Sequence, residues 1–160
     1  MRLVVILHNL RSAHNVGAIF RTADALQAKK VFLTGTTPVP GQAGKSGKEL
    51  AKTALGAENF VSWKYAKTLG ILLKTLKKQG FQLVALEQDR HAQDIRKYNL
   101  PKNKKVALIV GYEIKGIPAG ILRQCDKIIQ IPMFGQKESL NVAVAFGVAG
   151  YWIKFLDSKR

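Results

Sequence analysis

Five short apolar runs, spaced along the chain between segments of helical period, constrain what this sequence can fold into. They are "RLVVIL" (2–7), "KKVFLTG" (29–35), "FQLVALE" (81–87), "KKVALIVG" (104–111) and "KIIQIP" (127–132). Each is of strand length and apolar at nearly every position rather than every second one. A strand of that kind must be covered on both faces, as in a parallel sheet sandwiched between helices. The intervening segments supply the helices. In "NVGAIFRTADA" (15–25), Val16, Ile19, Phe20 and Ala23 form one stripe, and "KELAKTALGA" (48–57) and "AKTLGILLKTLKKQG" (66–80) also read as helices. The lysines and glycine that end the third suit a helix C-terminus. "SLNVAVAFGVAGYWIKFL" (139–156) is the last helix, with Ser139 a natural N-cap. "NFVSW" (59–63) reads as a short strand, "TTPVPGQAGKSG" (36–47) as a loop, and residues 88–104 as a polar connection. Strands alternating with helices give an α/β fold with a mostly parallel sheet and helices on both faces.

At 160 residues and 17.7 kDa the chain fits a single domain, residues 1–160, with a core that needs no disulfides. Cys125 cannot pair within the chain, which points to a reducing compartment, and its plainest role is a small apolar filler. No secretory signal is visible and no apolar run is long enough to span a membrane, so a cytoplasmic location and no membrane partner are expected. The charge is less ordinary. Twenty-six Lys and Arg stand against ten Asp and Glu, a net charge of +16. That excess favours a polyanionic partner and salt-dependent binding, with nucleic acid the first candidate and an anionic membrane or plain solubility the alternatives. Lys74, Lys77 and Lys78 form one cluster, and Lys102, Lys104 and Lys105 another.

Several chemistries are excluded or weakened. The first strand is followed by "HNLRSAHN", with no glycine until Gly17, so the glycine-rich turn of a dinucleotide fold is absent. There is no P-loop lysine motif. His8, His14 and His91 have no metal-ligand spacing, so no metal is expected, and neither Ser46 nor Ser62 sits in a nucleophile elbow. What remains are three loop-to-helix segments that each follow a strand. They are "HNLRSAHNVGAIFRTADA" (8–25), "VGYEIKGIP" (110–118) and "IPMFGQKESLNVAVA" (131–145). All three fall at the C-terminal edge of the predicted sheet, where open α/β folds bind ligands.

Each segment has a plainer reading by itself. Asn15 serves as a helix N-cap, and Arg21 pairs with Asp24 one turn on. Gly111 and Gly116 are turn glycines around a solvated Glu113, and Ser139 and Asn141 only cap the last helix. Arg21 also stands on a face of small residues, Gly17, Ala18 and Ala25, which leaves room for RNA or a partner subunit to come close.

Taken together, "NVGAIFRTADA", "IVGYEIKGIP" and "IPMFGQKESLNVAVA", with "KTALGAE" (52–58) between the first two, resemble the three motifs of SPOUT-superfamily RNA methyltransferases of the SpoU (TrmH) branch. The resemblance covers nearly the whole chain and implies a deep trefoil knot in the C-terminal part of the fold. It also implies S-adenosylmethionine as cofactor, transfer of its methyl group to a ribose 2′-hydroxyl in RNA, and a homodimer with its active sites near the subunit interface. No appended RNA-binding domain accompanies the motifs, which favours a compact structured substrate, transfer RNA before ribosomal RNA. In one respect the chain departs from the family. Tyr112 stands where the second motif usually has Asn.

The resemblance assigns roles residue by residue. Arg21 becomes the residue that holds an RNA phosphate and favours the alkoxide, a role suited to a guanidinium fork. Asn15, Glu113, Ser139 and Asn141 become polar organisers of the catalytic site. Leu86, Gly111, Ile131, Met133 and Leu140 become the cofactor wall, with Gly111 letting its backbone approach the ligand. Arg11, with Arg21, becomes an RNA contact. Two competing readings are a non-catalytic RNA-binding protein of the same fold, and methyl transfer to a base nitrogen.

Overall fold

The structure, a computed structural model, describes residues 1–112 and 116–158. Seven strands form one sheet: β1 (Arg2–His8), β2 (Lys30–Thr34), β3 (Trp63–Ala66), β4 (Gln82–Leu86), β5 (Gln93–Asp94), β6 (Lys105–Val110) and β7 (Lys127–Gln130). Their order is β3-β2-β1-β6-β4-β7-β5, and every pairing between them is parallel. The helices are α1 (Ala13–Ala25), α2 (Lys45–Ala54), α3 (Ala57–Phe60), α4 (Leu69–Lys78), α5 (Ala119–Leu122) and α6 (Val142–Ser158).

The continuous apolar runs are explained by two cores, one on each face of the sheet. Along β1, Leu3, Val5 and Leu7 enter the core under α1, α2 and α6, while Val4 and Ile6 enter the core under α4. Successive side chains alternate between faces, so a strand buried on both sides has no position for a polar residue. Cys125 belongs to the second core, where its thiol meets the Ile121 carbonyl at 3.3 Å and burial pushes its pKa up to about 11. The filler role is the one the structure supports.

Three local expectations need correction. Asn59 and Phe60 of the expected "NFVSW" strand end the short helix α3, because Leu55 (φ 51°) and Gly56 (φ 88°) turn the chain in left-handed conformations. β3 starts only at Trp63. The polar connection 88–104 holds the short edge strand β5 and a 3-10 turn at Ile95–Lys97. The last helix begins at Val142 rather than Ser139.

Candidate functional site

β4 lies between β6 and β7, so the C-terminal ends of these three strands stand side by side. The segments leaving them enclose a pocket of about 570 Å³, its open mouth included. Leu86, Val110, Ile131, Leu140 and Val142 give it apolar walls, and Glu87, Gln88 and Ser139 add polar groups. Of the residues expected at a cofactor, Leu86, Gly111, Ile131 and Leu140 all line this pocket. Met133 does not; it is half-buried in the segment beyond β7.

Gly111 lines the pocket and also has a packing reason of its own to be glycine. A Cβ there would stand 2.5 Å from Ile117 Cγ1 and 3.0 Å from the Ile117 backbone nitrogen. The missing side chain lets the backbone at Gly116 and Ile117 come close to the end of β6.

Glu87 and Gln88 are the site residues that the sequence reading missed. The Glu87 carboxylate accepts from the Ile117 N–H at 2.7 Å and from the Gln88 N–H at 3.0 Å. Gln88 Nε2 donates to the Ile131 carbonyl at 2.8 Å. Two adjacent side chains thus tie the loop leaving β4 to those leaving β6 and β7. A Cβ on Gly116 would meet Glu87 Oε2 at 2.5 Å, so that glycine makes room for the tie. The signal in the sequence was a carboxylate and an amide placed directly after the apolar run Leu83–Leu86, at the ligand-binding edge.

Beside this pocket, and sharing Tyr112, Ser139, Leu140 and Val142 with it, lies a second, open depression that also contains Arg11, Ser12, Asn15 and Asn141. Here two helix starts meet. Ser12, not Asn15, caps α1, its side chain accepting from the Asn15 N–H at 3.2 Å. Asn141, not Ser139, caps α6: its Oδ1 accepts from Ala143 N at 2.9 Å and Val144 N at 3.4 Å. With its other end Asn141 Nδ2 donates to Asn15 Oδ1 at 3.1 Å. The structure therefore brings Asn15, Ser139, Asn141 and Arg11 together at one place. Tyr112 also finds its role there: Arg11 Nη1 donates to its hydroxyl at 3.0 Å, and the guanidinium carbon lies 5.7 Å from the ring centroid. Glu113 falls outside the described residues.

Arg21 is elsewhere. Six residues beyond Asn15 on α1, about 9 Å along the axis, it lines an exposed depression with Ala18, Thr22, Ala25, Lys52, Leu55 and Tyr151. That depression shares no residue with the pocket at the sheet edge. No ion pair joins Arg21 to Asp24, and among the described residues Arg21 makes no other. Gly17 does not share its open face: a Cβ there would collide with Thr53 Oγ1 and the Leu50 carbonyl, because α2 crosses α1 at that point. Ala18 and Ala25 alone provide the low surface beside the guanidinium.

At the same sheet edge His8 ends β1. Its Nδ1 lies 2.8 Å from Thr34 Oγ1 and its Nε2 3.0 Å from Asn9 Nδ2. The amide nitrogen can only donate, so Nε2 accepts and Nδ1 carries the proton. Burial lowers the histidine pKa from its ordinary 6.5. Among the described residues no three His, Cys, Asp or Glu side chains gather as a metal site would require, and no helix is long and apolar enough to cross a membrane.

A parallel α/β sheet with a ligand pocket at its C-terminal edge defines the class, and comparison with known proteins gives the family. Residues 2–151 match the SpoU rRNA Methylase family, and the chain belongs to it. It is 32% identical over 149 residues to the tRNA (guanosine(18)-2′-O)-methyltransferase of Escherichia coli (strain K12), covering 93% of this chain and 61% of that one. The chain thus spans about three fifths of the length of the first curated relatives it matches. A crystal structure of AdoMet-bound rRNA methyltransferase from Sinorhizobium meliloti superposes with a TM-score of 0.84 at 27% identity, covering 96% of this chain and 56% of that one. A structure described as giving insights into the 2-OH methylation of C/U34 on tRNA matches with a TM-score of 0.84 at 25% identity, covering 99% and 98% of the two chains.

Proposed function

We propose that this chain is an S-adenosylmethionine-dependent RNA methyltransferase acting on a ribose 2′-hydroxyl. One observation carries the reading: the second and third motif segments converge on a single pocket at the ends of β4, β6 and β7, and the first adjoins it through the Asn15–Asn141 pair. The pocket fits the cofactor. Its apolar walls suit an adenine ring, and Glu87, Gln88 and Ser139 along its lining supply polar groups of the kind that a purine edge and a ribose require. When bound, the cofactor supplies a methyl group on a sulfonium, which already has a good leaving group. The protein's task is then to hold the RNA hydroxyl in line and favour its anionic form. Asn141 and Asn15, locked to each other and to the start of α6, are placed to hold polar groups of the reacting nucleotide beside the pocket. Arg11, held against Tyr112 at the mouth, meets the RNA backbone.

Arg21 completes the site from a second copy. It lies outside its own chain's pocket, and Tyr151 in its depression belongs to an exposed apolar stripe on α6 with Val144, Val148 and Phe155, spaced four, three and four residues apart. A helix face of that kind calls for a partner. A homodimer seated on the stripe would cover Arg21 and carry it toward the partner's pocket. The trefoil knot belongs to the same proposal, supported by the ties from Glu87 and Gln88 across the loops that would form it. Transfer RNA is the preferred substrate, supported by the names of the E. coli relative and of the structure of matching length, with ribosomal RNA second. A cytoplasmic setting accords with the lone, half-buried Cys125.

The test is transfer of labelled methyl from S-adenosylmethionine to total RNA from an unmodified background, followed by nuclease digestion and nucleoside analysis. Label in a 2′-O-methylated nucleoside supports the reading. Label on a base refutes the ribose assignment, and failure to bind the cofactor leaves a non-catalytic RNA-binding protein.

A further inference from the structure

The strand register gathers much of the chain's positive charge at the end of the sheet opposite the pocket. Arg2 at the start of β1 pairs with Lys105 at the start of β6, and its N–H bonds the Lys104 carbonyl. Lys30 at the start of β2 pairs with Val4, while the Lys29 N–H bonds Leu3. Lys127 starts β7 opposite Val84. α4 ends at the same edge with Lys77 and Lys78.

Some of these cations are occupied. Lys77 pairs with Asp126 at 2.9 Å, Lys104 pairs with Asp157 at 2.8 Å, and Lys105 bonds the Gln79 carbonyl. Arg2, Lys29, Lys78, Lys102 and Lys127 are exposed and have no acidic partner among the described residues. The rim runs across five strands from β2 to β7, and four spacings of about 4.8 Å make it roughly 20 Å long. Packing unpaired like charges along such an arc costs self-repulsion that an anionic partner relieves. Duplex nucleic acid, with one charge per about 1.7 Å of axis, presents about a dozen phosphates over that length.

We propose that the N-terminal edge of the sheet is a second RNA-binding surface, distinct from the motif-bearing edge. It holds the phosphate backbone of the RNA whose ribose is presented at the pocket. The inference rests on the reading that the partner is RNA, but not on turnover.

The experiment is equilibrium binding of unfractionated transfer RNA, without cofactor, as a function of salt. The rim variant K29Q/K102Q/K127Q is compared with K48Q/K64Q/K67Q, which removes equal charge from exposed lysines elsewhere. Each lost phosphate contact lowers the slope of log K against log salt by about 0.7–0.9, so the rim variant should lose about 2 from the slope. Its affinity should fall at least tenfold, roughly, at physiological salt, while the control loses less than half as much. S-adenosylmethionine affinity and unfolding midpoint stay those of the unaltered protein. Equal losses in the two variants would make this a net-charge effect and overturn the proposal. So would an unchanged slope, or loss of binding to phosphatidylserine vesicles with RNA binding intact. If no RNA accepts methyl but the rim variant alone loses its salt slope, the enzymatic reading fails and this surface stands.

Discussion

Asn141 holds the start of α6 and joins it to α1, and replacing it separates these two contributions. In Asn141→Ala the Oδ1 that accepts from Ala143 and Val144 is lost, and so is the Nδ2 bond to Asn15. An N-cap contributes about 1 kcal/mol. The side-chain bond adds about 0.5 kcal/mol, the low end, because Asn141 is exposed and water can replace it. The expected loss is therefore about 1.5 kcal/mol, or roughly 3–6 °C in Tm for a chain of this size. Asn141→Asp retains the cap and places a negative charge at a helix N-terminus, but it sets an oxygen against Asn15 Oδ1. Its stability should fall between the alanine variant and the unaltered protein, while methyl transfer falls in both. Denaturant unfolding of the three proteins reads the difference. The reasoning is refuted if the alanine variant lies within about 0.5 kcal/mol of the unaltered protein, the span of a neutral surface change. It also fails if aspartate is no better than alanine.

Further outcomes follow from other contacts. Arg21→Ala should abolish methyl transfer while leaving S-adenosylmethionine affinity unchanged by calorimetry, since the arginine is outside the pocket; substantial residual turnover would remove it from the mechanism. His8 is held neutral, with its folded pKa below the unfolded 6.5. The unfolded chain binds the extra proton first, so stability is full above about pH 6.5 and declines as pH falls toward the folded value. His8→Gln should flatten that part of a Tm–pH profile. Gly17→Ala forces a methyl against the Leu50 carbonyl and Thr53. Chemical denaturation should record a loss of at least about 1–3 kcal/mol, as overpacking does. A loss below that range would mean that α1 and α2 can part freely.

The sequence by itself determined the layers and the place of the site. Uninterrupted apolar strands require cover on both faces, and the five runs became β1, β2, β4, β6 and β7 of a parallel sheet. The motif segments had to lie at its C-terminal edge because each follows one of those strands. Leu86, Gly111, Ile131 and Leu140 were legible as pocket residues, and Asn15 and Asn141 as polar organisers, only through the resemblance of those segments to the family's motifs.

What local pattern could not encode were contacts between distant segments. Only tertiary structure decided that Gly17 faces α2 and not solvent, that Gly111 yields to Ile117, and that Met133 stays out of the pocket. Glu87 and Gln88 look like ordinary polar residues after a strand until the loops from β6 and β7 arrive beside them. The same holds for the two ends of the molecule. Lysines scattered from 29 to 127 become one rim because parallel strands all begin at one edge, whereas Arg21, on the same motif as Asn15, is carried to another depression by six residues of helix. Helical and strand periods fix which way a residue faces within its own element; what it meets there is settled by the packing of the others.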